Sequence, residues 1–171
     1  MRNLPIDLLA AHTPRMDFHP QSPFSLAPGR SSSPWGSRDK ALVIEDNEGI
    51  AGLLTILLGN FGLQVVWCQS AREALAKFAQ QRDAIALVIS DCRLPDGDGR
   101  EVCRQMREER PDLPLLLSSG SMAYQNLGPL GSQRLVRFMP KPYSPSEMLA
   151  HVRKLQAEAM QATAAISAGF V

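Results

Sequence analysis

No apolar run in the 171 residues approaches the roughly 20 that a membrane-spanning helix needs. The apolar piece nearest the start, Ile6-Asp7-Leu8-Leu9-Ala10-Ala11, is interrupted by Asp7 and bracketed by Pro5 and Pro14. It is too short and too acidic for the core of a secretory signal. These absences predict a soluble, cytoplasmic protein without a membrane partner. Cysteine is scarce: Cys68, Cys92 and Cys103 form an odd set with no Cys-x-x-Cys pair and no Cys/His cluster. That excludes a disulfide framework and a zinc site, and leaves small buried thiols in a reducing compartment. An excess of one charge is also lacking, since 18 Lys and Arg face 17 Asp and Glu for a net charge of +1. With no long basic run either, broad electrostatic binding to nucleic acid is not expected. What is present is 44% hydrophobic residues, enough for a real core.

The chain divides by composition. Residues 1–38 carry Pro5, Pro14, Pro20, Pro23, Pro28 and Pro34, with Ser31-Ser32-Ser33 near the end. Prolines at this density remove backbone donors and fix φ, so neither helix nor sheet propagates. A disordered or loosely docked arm is expected. Its alternative is a partner-binding tail anchored by Ile6, Leu8, Leu9 or Trp35.

From Lys40 the composition changes. Ala41-Leu42-Val43-Ile44 reads as a buried strand ending in Glu45-Asp46,. Leu53, Leu54, Ile56, Leu57 and Leu58 follow on a helix that Asn60-Phe61-Gly62 can stop,. Val65-Val66-Trp67 is a second strand. Ser70 can cap the next helix, with Glu73 at the capping-box position,. Ile85 to Ile89 forms a third strand, and a helix through Val102, Cys103 and Met106 follows the turn Leu94 to Gly99. Leu115-Leu116-Leu117 and Val136 to Met139 complete five strands, and a last helix runs from about Ser146 into an Ala-rich tail, residues 157–171. Apolar strands alternating with amphipathic helices predict a parallel sheet covered on both faces. The weakest segment is 121–134, where Gly128, Pro129 and Gly131 fall on the helix that the alternation expects. That helix is expected to be short, broken or mobile.

Ligands of open α/β sheets gather at the carboxyl ends of the strands. There the sequence puts Glu45-Asp46, Asp91, Ser118-Ser119-Gly120 and Lys141-Pro142. An Asp at a strand end usually just begins a turn, but three carboxylates on one rim repel unless a cation joins them. Hard oxygen ligands in this number suit Mg²⁺. A carboxylate beside Mg²⁺, with an ammonium and a hydroxyl in reach, is equipment for phosphoryl transfer.

Leu42 to Asp46, Leu87 to Gly99, Pro114 to Gly120 and Phe138 to Pro142, in this order and spacing, resemble the response-regulator receiver domain of two-component signalling. The resemblance covers nearly all of 39–156. It implies a flavodoxin-like, chemotaxis-regulator-like α/β fold, doubly wound, with a five-stranded parallel sheet in the order 2-1-3-4-5. It implies that Asp91 takes the phosphoryl group as an acyl phosphate. Asp46, Asp91 and the backbone carbonyl of Arg93 would hold Mg²⁺ directly, with Glu45 acting through water. Lys141 would contact the phosphoryl group, Ser119 would be the switch hydroxyl and Phe138 the switch aromatic, and Pro142 would follow a cis peptide. Glu45 replaces one Asp of the common acidic pair.

The expected donor is a histidine kinase or a histidine phosphotransfer protein. Output would pass to an unknown downstream protein or along a phosphorelay, because the fifteen residues after the last receiver helix are too few for a DNA-binding domain or an enzyme. The chain is therefore expected to be a phosphoacceptor module rather than an enzyme, with Mg²⁺-dependent self-phosphorylation and slow autodephosphorylation. The alternative is a phosphate-independent binding module on the same fold. An aspartyl-phosphate hydrolase is disfavoured because Glu45-Asp46-Asn47 is not an Asp-x-Asp pattern. A dinucleotide fold is disfavoured because no Gly-x-Gly-x-x-Gly follows the first strand,. Asp96 and Asp98 read as turn formers and helix N-terminal charges, and Cys92 as a redox thiol only weakly.

Overall fold

The computed structural model describes residues 35–122 and 126–167. Five strands form one parallel sheet: β1 (Lys40–Ile44), β2 (Gln64–Cys68), β3 (Ile85–Asp91), β4 (Leu115–Ser119) and β5 (Val136–Pro140), in the order β2-β1-β3-β4-β5. Four α-helices accompany them among the described residues: α1 (Glu48–Gly59), α2 (Ala71–Gln81), α3 (Gly99–Glu109) and α4 (Pro145–Ser167). This is the doubly wound, flavodoxin-like arrangement.

The strands are apolar throughout because both faces of the sheet are covered. Alternation along a strand sends successive side chains to opposite layers. On one face Leu42, Ile44, Val88, Leu115 and Leu117 pack with Phe78 of α2 and Met106 of α3. On the other, Val43, Leu87, Ile89 and Leu116 pack with Leu54 and Leu58 of α1 and Val152 and Leu155 of α4.

Local chemistry fixes the helix starts. The Asn47 side chain accepts from the Ile50 N–H, and Ser70 Oγ accepts from the Glu73 N–H at 3.2 Å. The Glu73 carboxylate accepts from the Gln69 N–H at 2.9 Å, one residue before the Ser70 cap, so Glu73 tethers the chain entering the helix while Ser70 caps it. Asp98 caps α3 through the Arg100 N–H at 2.9 Å. Asp96 caps a helix too, though not its own: its two oxygens accept from Ala71 N–H at 2.7 Å and Arg72 N–H at 3.1 Å, at the start of α2.

Three features bear on the sequence expectations. The described part of 121–134 shows no α-helix, and a 3₁₀ turn spans Gly128–Ser132. Gly128 sits at φ +55, Pro129 brings no N–H, and Leu130 is buried as a plug against the β3–β4 face. Second, α4 does not end near Gln156 but continues to Ser167. Ala157, Ala159, Ala162, Ala164 and Ala165 are strong helix formers,, and an Arg137–Glu158 ion pair ties the extension to β5. Third, Trp35, one candidate anchor of a partner-binding tail, is buried in the core with Ala41 and Val43. The other candidates, Ile6, Leu8 and Leu9, lie outside the described residues.

Candidate functional site

Parallel strands end on the same side, so the register decides which residues meet. Ile44 pairs with Ser90, Asp91 with Ser118, and Ser119 with Pro140. Each strand therefore ends within a residue or two of the rim, and the next residues out are Glu45, Asp46 and Lys141. The loops knit this rim together. Cys92 N–H donates to the Ser118 carbonyl at 2.9 Å, and Lys141 N–H donates to the Ser119 carbonyl at 2.8 Å.

The centre of the rim is one ammonium between two carboxylates. Lys141 Nζ lies 2.7 Å from Asp91 Oδ2 and 2.9 Å from Glu45 Oε2. Glu45 Oε1 accepts from the Asn47 N–H at 3.3 Å, and Asp91 Oδ1 accepts from the Arg93 N–H at 3.1 Å. Burial pushes the Glu45 carboxyl above the usual carboxylate range, and the Lys141 ammonium only partly offsets it. For Lys141 burial works the other way and lowers the value, but its bonds to Asp91 and Glu45 outweigh burial and hold it above an ordinary lysine. A cation is thus retained where the sheet crowds negative charge.

Asp46 joins from the loop after β1. One oxygen each from Glu45, Asp46 and Asp91 lies within 4.8 Å of the others, with Glu45 buried and Asp46 exposed. This all-oxygen, open-sided set fits a hard divalent ion that keeps several waters, which is the preference of Mg²⁺.

The remaining expected residues are close by. Ser119 is 4% exposed, and its Oγ accepts from the Ser121 N–H at 3.2 Å. Phe138 is half-buried against the β3–β4 core face. The Lys141–Pro142 peptide is cis. Asp96 and Asp98 spend their carboxylates on helix starts and on Arg100. Cys92 is fully buried and its thiol is pushed up to about 12, which rules against a reactive thiolate.

Two participants escaped the sequence reading. Trp67 on β2 donates its indole N–H to the Glu45 carbonyl at 2.8 Å, fixing the backbone that presents the acidic pair. Gly99 lies under Asp91, where a Cβ would meet the Asp91 carbonyl oxygen. The Asp-Gly-Asp-Gly run carried a trace of the second; nothing in the sequence pointed to the first.

Known proteins resemble this chain in sequence and in fold. The family model of the response regulator receiver domain matches residues 41–153. The alkaline phosphatase synthesis transcriptional regulatory protein PhoP of Bacillus subtilis is 34% identical over 119 residues, 68% of this chain and 48% of its own length. The C4-dicarboxylate transport transcriptional regulatory protein DctD of Pseudomonas aeruginosa is 31% identical over 126 residues, 71% of this chain and 26% of its own length. The chain thus spans about half of the first and a quarter of the second. A CheY-like receiver domain protein from Methanospirillum hungatei superposes with a TM-score of 0.63 at 23% identity, covering 73% of this chain and 98% of the other.

Proposed function

Because the chain belongs to the response regulator receiver family of two-component systems, we propose that it is a phosphorylation-controlled signalling module whose acceptor is Asp91. The observation that carries this reading is the Lys141 ammonium bridging Asp91 and Glu45 at the carboxyl rim of the sheet.

In the proposed step an Asp91 carboxylate oxygen attacks the phosphorus of a phosphohistidine on a histidine kinase or phosphotransfer protein. The new P–O bond forms as the P–N bond breaks, and the leaving imidazole keeps the electron pair and takes up a proton. Mg²⁺, held by Asp46, Asp91 and the Arg93 carbonyl with Glu45 behind water, would neutralise charge on the transferring group. Lys141 turns its donors from the two carboxylates to the incoming oxygens. Positioning supplies much of the remaining rate enhancement. Hydrolysis of the acyl phosphate returns the module to rest.

The switch follows from what surrounds the acceptor. Ser119 exchanges its local bond from the Ser121 N–H for the new phosphate oxygens, and Phe138, half-buried one strand away, turns inward. Phosphorylation then shifts a population by the contacts that only the active state makes. Output goes to a partner protein or along a phosphorelay.

The test is phosphate incorporation from acetyl phosphate, followed by intact mass, in wild type and Asp91→Asn with and without Mg²⁺. One Mg²⁺-dependent addition, lost in the variant, supports the reading. Absence of any addition, from acetyl phosphate or from a phosphorylated phosphotransfer protein, would point to a binding module that works without phosphate.

A further inference from the structure

A groove between α3 and the Gly128–Ser132 turn plays no part in the proposed phosphoryl transfer. The alternation of strands and helices expects a helix in this part of the chain, and among the described residues the Gly128–Ser132 turn lines the groove, with Leu130 buried at its base. The groove has a volume of about 900 Å³, at the upper end of the range of roughly 300–1,000 Å³ typical of small-molecule sites.

Its charges are not evenly settled. Three carboxylates line it, and all are occupied: Asp98 holds Arg100 at 2.6 Å, while Glu101 and Glu108 both bind Arg104. Two further arginines line the same groove, Arg107 from α3 and Arg134 from the segment before β5. Neither makes an ion pair among the described residues. Arg134 is exposed, but Arg107 is only 9% exposed. Arg107 Nη1 donates to the Leu113 carbonyl at 2.7 Å, and its buried Nε has no partner. A guanidinium carries five N–H donors, so the Leu113 bond leaves most of this capacity unspent. The Asp112 carboxylate acts on Arg107 without forming an ion pair and offsets its burial only in part. A cation buried this far without a contact counter-ion is costly, and it is the kind of group that an arriving anion compensates.

We propose that this groove binds a small phosphate ester of nucleotide size, its phosphate oxygens pairing with Arg107 and Arg134 and its organic part lying against Pro111, Leu127 and Pro129. Two unpaired guanidiniums ask for an anion of more than one charge, and their planar forks match phosphate oxygens in bidentate fashion. The deep placement of Arg107 suits a compact group entering a groove better than a flat protein surface. Burial already lowers the Arg107 guanidinium from its ordinary value, and an anion beside it reverses that direction. The site also touches the acceptor loop: Asp98, on its wall, caps α3, and the first residue of α3 is the Gly99 that underlies Asp91.

The experiment is an amide NMR titration of the full chain with GTP, ATP and inorganic pyrophosphate, in EDTA so that no divalent ion occupies the acidic rim. Saturable shifts in α3 and in 126–134 are expected for at least one of the three. Arg134→Ala and Arg107→Met should each weaken binding by about tenfold or more, while Arg72→Ala, an exposed arginine on α2, leaves it unchanged. Arg134 lies on the surface, so its variant keeps the test valid if Arg107→Met fails to fold. No saturable shift in the groove, or an affinity indifferent to Arg134→Ala, would overturn the proposal. So would a groove that ignores all three compounds yet responds to a phosphoserine peptide, which would make it a protein-docking surface.

Discussion

Gly99 stands against the backbone carbonyl of Asp91 so closely that a Cβ on it would meet that oxygen at 2.0 Å and Ser90 Oγ at 2.6 Å. The same glycine donates its N–H to the Cys92 carbonyl at 2.8 Å. The acceptor loop and the start of α3 are therefore pressed together through a residue without a side chain. Because the obstacle is backbone, Gly99→Ala must displace the loop, with an expected loss of about 1–3 kcal/mol and slower phosphorylation. Urea denaturation checks the first and phosphate incorporation the second. Gly52→Ala is the contrast: on the exposed side of α1, with nothing within 4 Å of the added carbon, it should stabilise by about 0.5–1 kcal/mol.

Removing the Lys141 ammonium leaves Glu45, 3% exposed, and Asp91 facing each other without a cation. A fully buried pair broken in this way loses about 3–5 kcal/mol, and the partial exposure of Lys141 brings the expected loss for Lys141→Met to about 2 kcal/mol. Adding Glu45→Gln to that variant should restore part of the loss, because the stranded charge goes with it. A double-mutant cycle in EDTA at pH 7 measures both; a double variant no more stable than Lys141→Met would contradict the bridging role.

Metal binding should stabilise the fold by mass action, about 2.7 kcal/mol at a hundred times the dissociation constant. Wild type is therefore expected to melt higher as Mg²⁺ is added. Asp46→Asn, an exposed position, should keep the metal-free melting temperature and lose most of the Mg²⁺ response. Differential scanning calorimetry across a Mg²⁺ series reads this directly.

His151, on α4, supplies a pH dependence. Burial, and then the charges of Arg137 and Lys154, hold its imidazole below the ordinary 6.5. The unfolded chain therefore binds a proton that the folded chain resists. The stability it contributes is fully present above pH 6.5 and is lost as pH falls through the depressed folded value. The drop in stability from pH 7 to pH 5 should accordingly be smaller in His151→Gln than in wild type, with the two curves parallel above neutrality. Urea midpoints at half-unit pH steps provide the comparison.

The strands and the rim were legible in the sequence for one shared reason. A strand buried on both faces reads as an unbroken apolar run, so β1, β3 and β4 show their ends, and the polar residue at each end is where the chemistry gathers. What stayed hidden depends on contacts between distant segments. Asp96 caps a helix that begins 25 residues earlier, and Trp67 bonds to a carbonyl 22 residues before it; neither pairing has a local pattern. Trp35 sits just after a proline-rich stretch, and composition could not reveal that it is tucked into the core. The replacement of an α-helix by a 3₁₀ turn in the described residues 126–134 was signalled by Gly128, Pro129 and Gly131. The groove beside it was not, because a groove is a property of what fails to fill space.

The Trp67 indole is joined to the backbone of Glu45, one residue before Asp46. Indole emission shifts with the polarity and charge of its surroundings, so the protein carries its own optical reporter on the acidic rim. The sequence has only two tryptophans, and the other, Trp35, can be replaced by phenylalanine to leave a single emitter. Ion arrival, phosphoryl transfer and relaxation would then be readable as three fluorescence traces in one stopped-flow cell, without a label attached to the chain.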